Sequence, residues 1–222
     1  MEGKMDYKGE IIKRIENMSG KYSAYEVFTD WIRVCSLSIA NGVSLFKTKT
    51  WRDREQMYAD TMRRYTSDDA IQFSEMMGLL AMALENKIED VLGEIYMISG
   101  MGSKAVGQFF TPYHISELCA KIAVLEPDDD GIYRINEPSC GGGGMIIGAA
   151  AALKERGVDY QRKMEVVAQD LDWKGVYMCY LQLSLLGISA VCVQGDTLLE
   201  PYNNQYVRSR VLYTPRKAGA LI

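Results

Sequence analysis

The chain has 222 residues, 48% of them hydrophobic and 24% charged, with a formal net charge of -4. That profile fits one or two folded domains and excludes a disordered or fibrous chain. No run reaches the roughly 18 apolar residues of a membrane span, and the charged start "MEGKMDYKGEIIKRIE" is unlike a signal peptide, so a cytoplasmic protein with no membrane partner is expected.

The first hundred residues read as helix. Val27, Phe28, Trp31, Ile32, Cys35 and Ile39 recur at steps of three and four, which places them on one core-facing stripe. Ile71, Phe73, Met76, Met77, Leu80, Met82 and Leu84, continued by Ile88, Val91, Leu92, Ile95 and Ile98, behave likewise, with methionine as an adaptable core filler. Between the two runs, "FKTKTWRDRE" fits a solvated loop and helix start better than a contact to a nucleic-acid backbone. The glycines of "SGMGSKAVG" mark a linker, dividing a helical domain over 1–103 from a second domain over 104–222.

From residue 107 the pattern alternates. Thr111 and Pro112 predict a helix with Thr111 at the N-cap and Pro112 in the first turn, running over Ile115, Leu118, Cys119 and Ile122 to "EPDDDG". "IYRIN" is then a strand, "MIIGAAAALKERG" a helix, "KMEVVAQD" a strand, "WKGVYMCYLQLSLLG" a helix and "ISAVCVQGD" a strand. Such alternation predicts an α/β fold with a parallel, doubly wound sheet. Ligands bind such sheets outside the carboxyl ends of the strands, where the glycine run, Asp170 and Asp196 all fall. The five cysteines have no zinc or redox spacing, so they are expected to be reduced and mostly buried, and no metal site is expected.

The stretch "NEPSCGGGGM" selects among ligands. Glycine runs at helix starts commonly cradle phosphates, but a carboxylate at Glu137 would repel one. A cationic ligand reverses the sign. Glu137 can accept from an ammonium while the backbone of Gly141 to Gly143 approaches a flat, uncharged part closely. S-adenosylmethionine has that character: an ammonium, a sulfonium and an adenosine, without phosphate. Asp170 is placed to take its ribose hydroxyls and Asp196 its adenine amine. Cys140 lines the turn without a base to make it a nucleophile.

The ordered set of "GQFFTP" (107–112), "EPSCGGGGM" (137–145), "AQDLD" (168–172) and "GDTL" (195–198) resembles the adenine-specific (N6) DNA methyltransferases found as modification subunits of type I restriction systems. The resemblance covers roughly residues 104 to 200. It implies a Rossmann-like S-adenosylmethionine-dependent fold, here with a partial sheet, after an all-α amino-terminal domain. It implies that Gln108, Phe109, Phe110 and Thr111 lie at the methionine end, with Phe109 and Thr111 holding it. Glu137, Pro138, Cys140 and the Gly141, Gly142 and Gly143 backbone would receive the amino-acid part. Asp170 and Leu171 would take the ribose, and Asp196 and Thr197 the adenine.

The chain departs from that family at the chemistry. The exocyclic amine of adenine is a poor nucleophile, so these enzymes flip the base out and grip the amine. The family does this with an Asn-Pro-Pro-Tyr or Asn-Pro-Pro-Phe loop after a fourth strand. Here "VLYTPRKAGALI" stands in its place, with Tyr213, Thr214 and Pro215 as an eroded remnant at most. The sequence is therefore read as truncated before that motif, with no catalytic residue of its own and inactive in isolation. At most one more strand, "NQYVRSRVLY", fits after Asp196, so the sheet is expected to be incomplete and covered by a second copy or a partner subunit. DNA is a partner by resemblance only. Two functions stay open: a cofactor-binding methyltransferase component that needs a partner for methyl transfer, and a non-catalytic binding or assembly protein keeping the fold.

Overall fold

In the computed structural model, residues 5–18, 20–101, 110–123, 126–203, 205 and 208–219 are described. The helical first half comprises α1 (Tyr7–Met18), α2 (Ala24–Gly42), α3 (Lys49–Met62), α4 (Ser67–Asn86) and α5 (Val91–Ile98). Side chains start these helices where the sequence allows. Ser23 with Glu26 and Thr66 with Asp69 form capping boxes on α2 and α4, and Thr48 and Asp90 cap α3 and α5. On α2, Val27, Phe28, Trp31 and Ile32 are buried as the periodicity predicts, and the indole of Trp31 donates to the Phe73 carbonyl at 3.1 Å.

On α4 the buried stripe is Phe73, Met76, Leu80 and Leu84, whereas Ile71 and Met82 are exposed. Those two residues lie about three helical turns apart, on the side opposite the stripe. The basic segment around Trp51 opens α3, whose only buried residue is Thr61, in keeping with a solvated helix start.

The second half holds α6 (Tyr113–Ile122), β1 (Tyr133–Glu137), α7 (Gly144–Glu155), the short α8 (Tyr160–Lys163), β2 (Met164–Asp170), α9 (Trp173–Leu185), β3 (Ser189–Gln194) and β4 (Val211–Tyr213). The result is a mixed α/β fold whose four-stranded sheet has the order β1-β2-β3-β4, with the first three strands parallel and β4 antiparallel to β3. The first turn of α6 differs from expectation. Pro112, at φ -54 and ψ 134, occupies the cap position and the helix begins at Tyr113, which leaves Thr111 outside it and exposed.

The helix α9 joins the two halves. It is buried from Lys174 to Ser184 and packs on α2, α4 and α5 on the helical side and on β2 and β3 on the other. A helix buried on every side is a central one, and one continuous apolar cluster accordingly runs from Ile11 to Leu212. The expected boundary at 103/104 falls within 102–109, outside the described residues. Among the described residues β1 pairs only with β2, and Leu118 and Ile122 on α6 are exposed. No described helix is long and apolar enough to cross a membrane, and no described cluster of His, Cys, Asp and Glu could hold a metal.

Candidate functional site

Past Glu137, the chain turns through Pro138 and Ser139 to the buried Cys140, whose amide donates to the Gln169 carbonyl at 2.9 Å and pins the loop to the end of β2. Gly141 and Gly143 then take φ of +49° and +93°, a conformation that other residues rarely hold. Space also requires glycine. A Cβ on Gly141 would stand 2.8 Å from the Phe110 ring, one on Gly143 3.1 Å from Cys179 Sγ, and one on Gly144 3.0 Å from Asp90 Oδ2. The glycine run thus lets an aromatic ring, a thiol and a carboxylate close directly on the backbone.

Asp170, at the carboxyl end of β2, braces this loop. Its Oδ2 accepts from the Gly141 amide at 2.8 Å and its Oδ1 from the Asp172 amide at 2.9 Å, while its carbonyl accepts from Gly195 at 2.9 Å. A carboxylate offers about four acceptor positions, so Asp170 keeps capacity toward the cavity it lines.

That cavity, about 160 Å³, opens between the loop, α6 and the amino terminus of α5. It brings together six of the residues singled out from the sequence: Phe110, Thr111, Cys140, Gly141, Gly142 and Asp170. Whole small-molecule sites run from about 300 Å³ upward, so a nucleoside-sized ligand would seat one end here and lay the rest across the rim. Gln108 and Phe109 lie outside the described residues.

The remaining candidates stand outside the lining. Glu137 is half-buried and its Oε1 accepts from the Ser139 amide at 3.2 Å. Asp196 Oδ1 accepts from the Leu198 amide at 2.9 Å, and Leu171 is exposed. Thr197 donates to the Pro138 carbonyl at 2.7 Å, so the segment after β3 is tied to the loop after β1. Gly143 caps α7 without any side-chain hydrogen bond to its first turn.

The sequence did not single out the polar groups at the inner wall of the cavity. Asp90, 2% exposed, caps α5 through an acceptor contact from the Gly93 amide at 2.8 Å. Its Oδ1 also accepts from Gln182 Nε2 at 2.8 Å. The same Gln182 nitrogen donates to the Gly142 carbonyl at 2.8 Å, and its Oε1 accepts from the Leu92 amide at 3.0 Å. One buried amide on α9 therefore fastens the glycine loop to the start of α5. Ser116, fully buried on α6, completes the wall. The only sequence signal for Asp90 was its position ahead of the apolar run from Val91, where a cap is expected.

Burial raises the Asp90 carboxyl above its ordinary range, against the opposing hydrogen bonds from Gln182 and Gly93. Contact with Cys179, together with burial, pushes the Cys140 thiol well up, which fits a packed wall residue rather than a thiolate nucleophile. The five cysteines are free, with Cys140, Cys179 and Cys192 buried.

Tyr213, Thr214 and Pro215 are far from this chemistry. β4 lies on the outer side of β3, whereas the cavity lies at β1 and β2. Thr214 is fully buried, donates to the Ile188 carbonyl at 2.7 Å and accepts from the Ala190 amide at 2.9 Å. Those contacts make it an anchor for the sheet edge.

The profile of the N-6 DNA methylase family matches residues 87–215, a span that begins ahead of α5 and so takes in Asp90. Residues of the chain are 26% identical over 121 positions to the type I restriction enzyme MjaIX methylase subunit of Methanocaldococcus jannaschii. That match covers 52% of this chain and 20% of the relative, so the chain spans about a fifth of that protein's length.

Proposed function

Because the chain belongs to the N-6 DNA methylase family, we propose that its cavity and rim bind S-adenosylmethionine in a Rossmann-like methyltransferase fold, as one component of an adenine-N6 DNA-modifying system. The observation that carries this reading is the use of the loop amides. In a phosphate cradle they stay free for the anion; here the Gly141 amide donates to Asp170 and the Gly143 amide to the Cys140 carbonyl. Two carboxylates, Asp90 and Asp170, line the cavity. That donor set disfavours phosphate and suits a ligand rich in hydroxyls and positive charge.

In this reading Thr111 and Phe110 flank the amino-acid end; Gln108 and Phe109, outside the described residues, are assigned to it by the sequence motif alone. Gly141, Gly142 and Cys140 give close backbone approach, and Gly143 sets the turn into α7. Asp170 takes the ribose hydroxyls with Leu171 beside it. Asp196, with Thr197 holding its segment against Pro138, takes the adenine amine. Glu137 adds negative charge at the rim. When bound, the cofactor supplies a methyl group activated by its sulfonium. The chain's own contribution is to bind it, fix its orientation and keep water from the buried end.

Methyl transfer to DNA then depends on a partner chain that provides the acceptor loop for the adenine amine and the surface that reads DNA. Supporting this are the edge of β1 that no described strand covers, the exposed apolar residues Leu118 and Ile122 of α6, and the use of Thr214 as a sheet anchor. The same observations favour, as a second reading, an assembly protein that retains the cofactor without catalysing transfer.

Calorimetric titration separates these readings from a phosphate site. Saturable binding of S-adenosylmethionine that ATP does not displace is expected, and the absence of any heat at millimolar S-adenosylmethionine contradicts a cofactor site. Incorporation of labelled methyl groups into unmethylated DNA by the purified chain alone would contradict the requirement for a partner.

A further inference from the structure

Two polar side chains on the inner wall of the cavity have capacity that the fold does not use. Ser116 Oγ is buried and has no hydrogen-bond partner. Asp90 accepts two hydrogen bonds on Oδ1, from the Gly93 amide and Gln182 Nε2. Its Oδ2 stands 3.0 Å from the point a Cβ on Gly144 would occupy, and Ser116 Oγ stands 3.3 Å from the same point. The two oxygens therefore converge on the first residue of α7, where both side chains line the cavity.

Capping α5 explains one oxygen of Asp90 and no more, since serine or asparagine would cap as well. Ionising a carboxyl in so buried a place is unfavourable unless a cation meets it. Among the described residues no lysine or arginine nitrogen lies within ion-pair distance of Asp90; Lys8, the cation whose charge reaches it, is bonded to Glu89 at 2.7 Å and to Glu94. The side chain that meets Asp90 Oδ1 is a neutral donor, Gln182. A compact, multiply donating cation is the chemistry that satisfies a carboxylate and a hydroxyl together.

Resting on the reading that S-adenosylmethionine occupies this cavity, we propose that Asp90 and Ser116 form the subsite for the ammonium of its amino-acid end. The ammonium donates to Asp90 Oδ2 and to Ser116 Oγ. Gln182 is a positioning residue, holding the carboxylate by Oδ1 and the loop by the Gly142 carbonyl. The cavity is large enough for that end alone, which matches a subsite rather than the whole ligand.

The test uses the full chain and three ligands: S-adenosylmethionine, S-adenosylhomocysteine and 5'-methylthioadenosine, the last lacking the amino-acid end. Asp90→Asn keeps the cap and the Oδ1 acceptor while removing the charge. It should weaken S-adenosylmethionine and S-adenosylhomocysteine by roughly ten- to a hundredfold, the range of a charge-assisted hydrogen bond to a buried group, and leave 5'-methylthioadenosine unchanged. Ser116→Ala should show the same pattern at smaller amplitude. Unchanged S-adenosylhomocysteine affinity in Asp90→Asn overturns the assignment, and so does a loss confined to S-adenosylmethionine, which would place Asp90 at the sulfonium. Should Asp90→Asn not fold, the wild-type chain still decides: equal affinity for S-adenosylhomocysteine and its deaminated analogue overturns the subsite. If the wild type binds none of the ligands, the cofactor reading itself fails, an outcome distinct from each of these.

Discussion

Replacing Gly141 by alanine tests whether the glycine run is required by geometry or is incidental. Two penalties can be worked from the structure. At φ +49° an alanine is held in the left-handed region, at about 1–2 kcal/mol. Its Cβ would also stand 2.8 and 2.9 Å from two atoms of the Phe110 ring, a contact that cannot persist without displacing that ring from its edge-on packing against Tyr96. Overpacking of this kind costs about 1–3 kcal/mol, so Gly141→Ala should lose about 2–5 kcal/mol in equilibrium urea unfolding. The two parts separate in a double-mutant cycle. In a Phe110→Ala background the clash is gone and only the backbone part, about 1–2 kcal/mol, should remain. A Gly141→Ala chain within about 0.5 kcal/mol of wild type, a shift no larger than an ordinary surface substitution gives, would show that neither penalty operates. An identical loss in both backgrounds would refute the assignment of the clash to Phe110.

Further outcomes follow from the same contacts. Gln182→Leu strands the Leu92 amide and the Gly142 carbonyl in a buried place, so it should destabilise the chain by about 2–5 kcal/mol in urea unfolding. Asp170→Asn forces an amide donor against either the Gly141 or the Asp172 amide, and calorimetry should show S-adenosylmethionine binding weakened by about tenfold or more. Thr214→Val should lower the melting temperature while leaving cofactor affinity unchanged, because Thr214 serves the sheet edge and not the cavity. The Asp90 carboxyl is raised in the folded state, so its contribution to stability is full below its unfolded pKa and is lost as pH rises through the folded one. Melting curves from about pH 4 to about pH 8 should therefore show Asp90→Asn gaining on wild type as pH rises, with Lys8 and Glu94, the charged groups that also act on Asp90, unchanged in both chains. A constant difference across that range would remove burial as the cause.

Local patterns made much of this fold legible. The strand and helix alternation after residue 130 predicted β1, α7, β2, α9 and β3, because a change between periods of two and 3.6 is written in consecutive residues. The stripe on α4 was blurred by Ile71 and Met82, apolar residues on the solvent side, since hydrophobic identity does not by itself assign a face. α6 begins one residue later than Thr111 predicts, because Thr111 is a good cap by type whereas Pro112 holds the cap position itself.

At the site, the motifs located the glycine loop and Asp170, which depend on local turns. Asp90 and Ser116 escaped because nothing near them in the chain signals the cavity. They meet Gly144 only through the packing of α5, α6 and α9, with Gln182 reaching across 92 positions to hold Asp90. The expectation for Glu137 came from its adjacency to the glycines in sequence, but a residue at the end of a strand is not thereby inside the cleft beside it.

The most direct test of where the cofactor sits is a crystal structure of the chain with S-adenosylhomocysteine. The amino-acid end is expected in the cavity, its nitrogen within hydrogen-bond distance of Asp90 and Ser116, and the ribose hydroxyls on Asp170. Density for the ligand elsewhere, or an amino-acid end turned out of the cavity toward solvent, would contradict it.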